Sequence, residues 1–302
     1  MARIRPPIVT NLQCHVHSGG SGSGAAGSSV LVVEATAPID YILFDGSERR
    51  PILHLLGTHM RMPPATIAVH DGLLETVDIA MEDDRLVLTL SLAHPTAIAV
   101  RRTAGLPSLL EVEMSREPLH RIMRGRRIVI DPGHGGTEIG GKGPVDLREK
   151  DKVLAIALYL REELENLGSS VHLTRSGDEN PPPWERLALA HRLRAEALIL
   201  LHLAWFPDPA IGGFRAAWAT EAGRPLAEEI HRAFTKGLPL RDRGWGMGPP
   251  LAAPWLPAAF AECAVISNPV EEGWLRSSTF LKRAARAIAN GLKDYFAWLA
   301  GS

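Results

Sequence analysis

Four residues carry the chemistry that this sequence offers: His134, Glu149, His202 and Glu262. His134 follows the apolar, β-branched run Ile128-Val129-Ile130, which stops at Asp131-Pro132-Gly133. His202 follows a second run, Leu198-Ile199-Leu200-Leu201, in the same way. Glu149 stands fifteen residues beyond His134, where helical periodicity begins, and Glu262 lies inside a third apolar run, 259–265. Such runs read as buried strands, and in a parallel sheet their carboxyl ends share one edge, where α/β proteins place ligands. Two neutral imidazoles and one carboxylate are a ligand set for catalytic zinc, with a position left for water. A further carboxylate beside that water is a general base.

Each residue also has a plainer reading. A strand-end histidine is often satisfied by its neighbours alone, and a glutamate at a helix start can simply complement the helix dipole. Glu262 is harder to explain away, because a carboxylate among Phe260, Ala261, Ala264 and Val265 is expensive unless paired or functional. Strand alternation turns Cys263 to the opposite face, as a core residue. The stretch Gly136-x4-Gly141-Lys142 begins like a phosphate-binding loop, but Gly143 and Pro144 follow where a Ser or Thr and a helix are required.

The elements that must position these residues fall in the second part of the chain. From Lys150, Val153, Leu154, Ala157, Leu158, Leu160, Leu164 and Leu167 form a helical stripe that Gly168 stops. Strands are expected at 171–174, 197–201, 214–218 and 258–266. Helices are expected from Trp184 to about Arg194, Pro225 to about Lys236, and Ser277 or Ser278 to about Leu299, with residues 237–257 as loop. This alternation predicts an α/β fold: a mainly parallel twisted sheet with helices on both faces. Before it, short strands at Val30–Val33, Tyr41–Phe44 (closed by an Asp45-Gly46 turn), Ile67–Val69, Leu86–Leu92 and Leu110–Met114 predict a small all-β domain. The expected organisation is a flexible Gly/Ser-rich segment over 1–29, the β-rich domain over 30–115, a linker over 116–126 and the α/β domain over 127–302. Within the first segment, 18–29 reads as flexible, and the rest as an exposed tail able to start a strand. His15 and His17 lie near Cys14 there without a fourth metal partner.

The bulk numbers exclude several classes. In 302 residues, 45 % are hydrophobic and 22 % charged, and the formal net charge is −1, which supplies no electrostatic case for nucleic acid or an anionic membrane. Two cysteines make no disulfide framework. No apolar run approaches the roughly 20 residues of a membrane span. Arg3 and Arg5 are not followed by an apolar segment, so no recognisable secretory signal is expected.

In order along the chain, Asp131-Pro132-Gly133-His134-Gly135-Gly136, Leu147-Arg148-Glu149-Lys150-Asp151, Leu173-Thr174-Arg175, Glu185-Arg186, His202 and Glu262 with Ile266-Ser267-Asn268-Pro269 resemble one family. It is the catalytic domain of the zinc-dependent N-acetylmuramoyl-L-alanine amidases, and the resemblance covers about 127–299. It implies zinc held by His134, Glu149 and His202, with Glu262 as catalytic carboxylate. It also implies hydrolysis of the amide between N-acetylmuramic acid and L-alanine in peptidoglycan. The partners implied are the glycan strand and stem peptide, the expected location is the cell envelope or outside the cell, and a monomer is expected. The β-rich segment resembles the AMIN-type module found upstream in such enzymes. Arg243-Gly244 keeps a family pair, and the loop carrying Arg243 and Trp245 suits a substrate groove wall or, alternatively, a surface loop with a packed tryptophan. The spacing from His202 to Glu262 leaves no room for the long inhibitory helix of some relatives. The flanks Leu201-His202-Leu203-Ala204-Trp205 and Cys263-Ala264-Val265 are unlike the family's Ser-Ile-His-Ala-Asn and Leu-Gly-Phe. They leave a second reading open: an amidase-fold protein that binds peptidoglycan with little or no turnover.

Overall fold

Leu86, Leu88, Leu90 and Leu92 share one face of a strand and are buried there, at 6 % exposure or less, as their period-2 spacing predicts. The computed structural model describes residues 6–17, 26–44, 46–61 and 63–301. Most of the Gly/Ser-rich stretch, together with Arg3, Arg5 and Asp45 of the expected turn, lies outside the described residues. The chain divides into two units, Met1–Arg121 and Ile122–Ser302.

The first unit is built from strands β1 (Ile8–His17), β2 (Ser28–Ala35), β3 (Asp40–Phe44), β4 (Ile52–Leu56), β5 (His59–Met60), β6 (Ala65–Ala68), β7 (Leu74–Glu82), β8 (Arg85–Leu92), β9 (Ile98–Thr103) and β10 (Ser108–Ser115). They form two five-stranded sheets, β5-β1-β2-β10-β9 and β3-β4-β8-β7-β6. Their pairs are antiparallel except β1 with β5. Leu31, Val33, Leu53, Leu55, Leu110, Val112 and Met114 are almost wholly buried and supply much of the core. Residues 8–17, which by sequence resemble a tail, form β1 because β2 offers them a full antiparallel register from Val9↔Ala35 to His17↔Ser28. The segment expected to be a linker contains helix α1 (Glu117–Met123).

The second unit holds β11 (Arg127–Pro132), α2 (Glu149–Glu165), β12 (Ser170–Leu173), α3 (Pro183–Arg192), β13 (Ala197–Ala204), β14 (Phe214–Trp218), α4 (Arg224–Gly237), β15 (Asp242–Met247), β16 (Ala258–Val265), α5 (Pro269–Leu275) and α6 (Ser278–Gly301). The sheet order is β12-β11-β13-β16-β14-β15. Neighbours run parallel except β14 against β16, so the sheet is mainly parallel with its last two strands reversed. Ile128, Val129 and Ile130, like Ala197–Leu201, are buried on both sides, as interior parallel strands must be. One face is covered by α2, α4 and α6, with α6 packed on the other two. On the opposite face α3 supplies Ala190 to a cluster with Val129, Leu198, Leu200, Ala258, Ala253 and Leu256. β15 falls within residues read by sequence as loop. Its Asp-Arg-Gly-Trp-Gly-Met has no apolar alternation, and pairing with β14 at the sheet edge is what makes it a strand.

Candidate metal centre

Strand register assembles the site. Pro132 of β11 lies opposite Leu201 of β13, and His202 lies opposite Glu262 of β16. The Gly133 N–H donates to the Leu201 carbonyl at 3.0 Å, continuing the ladder beyond β11. His134 and His202 therefore emerge side by side, with ring centroids 5.0 Å apart and planes at 85°. The chain between them and α2 folds back so that Glu149, the first residue of α2, enters from above at 3 % exposure.

Bare backbone makes this approach feasible. A Cβ on Gly133 would sit 2.3 Å from Cε1 of His202, and one on Gly140 would sit 2.5 Å from Cδ2 of His134. His134 itself has φ of +63°, a left-handed conformation that a non-glycine residue holds only when its surroundings enforce it. Two arginines do so. Arg175 donates to the carbonyls of Pro132 at 2.9 Å and Gly133 at 3.0 Å. Arg186 donates to those of Pro132 and His134, both at 3.1 Å, and pairs with Asp131 at 2.6 Å. Thr174 donates to the same Asp131 carboxylate. In the sequence Asp131, Thr174, Arg175 and Arg186 were legible only as family motif positions, because Arg175 and Arg186 bind backbone carbonyls, and Asp131 meets Thr174 and Arg186 only across more than 40 residues of chain.

The donor set has the dimensions of a metal site. His134 Nε2 lies 3.2 Å and His202 Nδ1 3.1 Å from Glu149 Oε1. Ligand atoms from the three residues all fall within 4.8 Å of one another. Bonds of 2.0–2.2 Å at tetrahedral angles would separate zinc ligands by about 3.3 Å, so the three residues fit such an ion. Glu138 accepts from His134 Nδ1 at 2.9 Å, the outer contact that orients a ligating imidazole with its Nε2 inward. Burial opposes the charge of Glu149. Hydrogen bonds from His134, His202 and the N–H groups of Gly141 (2.7 Å) and Leu203 (2.8 Å) outweigh it and hold the carboxyl far below its usual range. The bond to Glu149 raises the pKa of His134 against the opposing effect of burial, and Glu138 adds to the rise.

Glu262 faces the same space. A pocket of about 520 Å³ is lined by His134, Glu149 and His202 together with Glu262, Arg215 and Arg243. The buried-carboxylate problem seen in the sequence is answered by Arg243, whose Nη2 donates to Glu262 Oε2 at 2.5 Å. Trp245, by contrast, is not among the residues lining this pocket. Its ring packs edge-on against Trp218 with centroids 5.4 Å apart. A second pocket, of about 540 Å³, shares His134 and His202 and is walled by Pro181–Trp184, Leu198, Leu200 and Leu251. It gives the apolar surroundings of His202 a location. Arg215 is a site residue the sequence did not single out, since a lone arginine in a strand carries no pattern.

Similarity to known proteins agrees with this geometry. A family model described as N-acetylmuramoyl-L-alanine amidase (Amidase_3) matches residues 128–294, more than half of the chain. The amidase AmiA of Escherichia coli K12 is 28 % identical over 265 residues, covering 71 % of this chain and 92 % of that protein. Among solved structures, the catalytic domain of CwlV, an N-acetylmuramoyl-L-alanine amidase from Bacillus (Paenibacillus) polymyxa var. colistinus, superposes with a TM-score of 0.55 at 30 % identity. It covers 57 % of this chain and 98 % of that one. AmiC2 of Nostoc punctiforme gives the same TM-score at 27 % identity, over 57 % of this chain and 97 % of its own. With its sheet, its strand-end histidines and its family match in agreement, the chain belongs to the N-acetylmuramoyl-L-alanine amidase family.

Proposed function

We propose that this protein hydrolyses the amide between the lactyl group of N-acetylmuramic acid and the L-alanine of the stem peptide, using zinc held by His134, Glu149 and His202. The observation that carries the reading is the convergence of His134 Nε2 and His202 Nδ1 on Glu149 Oε1, with Glu262 lining the same pocket. An ion bound there supplies Lewis-acid polarisation of an amide carbonyl and lowers the pKa of water towards about 7.

The protein's own groups supply the rest. Arg243 occupies Oε2 of Glu262, so Oε1 is the oxygen that takes a proton from the attacking water. As the C–O bond forms and the C–N bond breaks, the same oxygen returns the proton to the leaving amine of L-alanine. Arg243 is a positioning residue in this scheme, because it acts through Glu262. Trp245 would then contribute to the groove only indirectly, through its packing on Trp218. The proposed setting is the cell envelope or extracellular space where peptidoglycan lies, and the β-rich unit is proposed to be an AMIN-like module.

The test is release of free L-alanine amino termini from purified sacculi. Release that a chelator and Glu262→Ala both abolish supports the reading; no release by metal-loaded wild type sinks it. A second reading, a peptidoglycan-binding protein with little turnover, draws on the apolar walls beside His202 and on the tight pairing of Glu262 with Arg243. Retention on sacculi without release would favour it.

A further inference from the structure

Glu262 carries one negative charge and has two guanidinium neighbours that are used differently. Arg243 is committed to the fold and to Glu262: Nε donates to the Gly213 carbonyl at 3.1 Å, Nη2 holds Glu262, and its guanidinium lies 5.3 Å from the centroid of the Phe206 ring. Arg215 lies directly across the β14–β16 pair from Glu262, on the same face of the sheet. Its Nη2 donates to the Met247 carbonyl at 3.0 Å. Its Nη1 is 3.9 Å from Glu262 Oε1, beyond hydrogen-bond range, and has no hydrogen-bond partner among the described residues. The Arg215 side chain is 30 % exposed, against 13 % for Arg243, and both line the pocket of the metal set. One arginine hydrogen-bonds Glu262; the other stands 3.9 Å from the same carboxylate with Nη1 still able to donate to a ligand.

We propose that Arg215 is a specificity residue that binds a carboxylate carried one residue beyond the scissile amide, on the amine side of the substrate. The inference rests on the proposed reaction for the choice of ligand. Glu262 must come within about 3 Å of the leaving amine to protonate it. From that nitrogen, the α-carboxyl of the next residue lies up to about 6 Å away along an extended chain. Arg215 Nη1, 3.9 Å from the proton-carrying oxygen, is within that reach. In a stem peptide the residue after L-alanine is D-glutamate linked through its side chain, so its α-carboxyl is either free or amidated. Arg215 distinguishes the two forms, since a guanidinium pairs with a carboxylate and gains little from a carboxamide.

Equilibrium binding to the zinc-loaded full chain tests this without turnover. The probes are the tripeptide L-Ala-γ-D-Glu-L-Lys and its counterpart with the D-Glu α-carboxyl amidated. Wild type is expected to bind the free acid at least about tenfold more tightly, as a charge-assisted hydrogen bond provides. Arg215→Met should abolish that preference by weakening the free acid much more than the amidated form, whereas a merely structural role at Met247 would weaken both alike. Arg215→Lys should keep part of it. Equal binding of both peptides by wild type, binding of neither, a preference surviving in Arg215→Met, or one lost as fully in Arg215→Lys would overturn the proposal. Turnover of the corresponding muramyl tripeptides is read separately. A preference in binding without amine release removes the hydrolytic reading and leaves this one standing, whereas equal cleavage and equal binding of both forms does the reverse.

Discussion

Both units of the chain bury carboxylate side chains, and two of these, Asp71 in one and Glu149 in the other, are satisfied in opposite ways. In the β-rich unit Asp71, 4 % exposed, accepts from the N–H groups of Leu73 and Leu74, both at 2.8 Å, and faces Arg116 at 3.6 Å. Arg116, 3 % exposed, also donates to Ser29 Oγ at 3.0 Å and to the Asp71 carbonyl. Among the described residues, the groups that contact the Asp71 carboxylate are proton donors: two backbone N–H groups and the Arg116 guanidinium. Glu149 also accepts two backbone N–H groups, but its other neighbours are imidazole nitrogens, which donate to it when protonated and can ligate a metal when neutral, and they border a pocket. Burial alone does not mark a functional charge. What marks it is a cluster of groups close enough to ligate one ion, beside open space.

The contrast can be broken from either side. The largest effect is expected from Glu149→Ala, which removes the ligand common to both histidines: zinc content, measured by atomic absorption, should fall to background and amide hydrolysis with it. Glu262→Gln should lower kcat by about 10²–10⁴-fold, the usual contribution of a general base, while zinc content stays at the wild-type level. Loss of metal in that variant would make Glu262 part of the ligand set. Arg116→Met should cost the β-rich unit about 3 kcal/mol, because it strands Asp71, with no change in zinc content; the readouts are urea unfolding and amide exchange in β2 and β10. Glu138→Gln should weaken zinc binding by about tenfold, the low end for an outer-shell partner, since Glu138 is itself well exposed. The smallest effect is a rate. Burial pushes the Cys263 thiol up to about 12 and, with the Asp71 charge, Cys14 up to about 11. A group raised this far stays protonated below that pH, so neither thiol should react readily with iodoacetamide at pH 8 until the protein unfolds.

The legible parts of the fold were those whose signal is local. The leucines of β8, the double-sided apolar strands β11 and β13, and the apolar stripes of the long helices all follow from periodicity. What stayed hidden depends on a partner strand. β1 is a strand because β2 pairs with it, and β15 because β14 does; neither sequence alternates cleanly enough to say so alone. The same holds in the site. His134, Glu149, His202 and Glu262 were readable as residue types at strand ends, a helix start and an apolar strand. Arg215 and the engagement of Arg243 were not, since both depend on which residues face each other across β14, β15 and β16.

By itself the sequence pointed to a candidate metal site, because two histidines and two carboxylates stand at strand ends, a helix start and an apolar strand. It also determined the α/β character of the elements that carry them. Tertiary structure decided which oxygen of Glu262 is free, which arginine is spent on it and which remains available, and how closely His134 and His202 approach Glu149. The physical reason is that composition and periodicity act over a few residues, whereas a site is set by strand register, which pairs Pro132 with Leu201 and His202 with Glu262 and changes what faces the pocket with a single step.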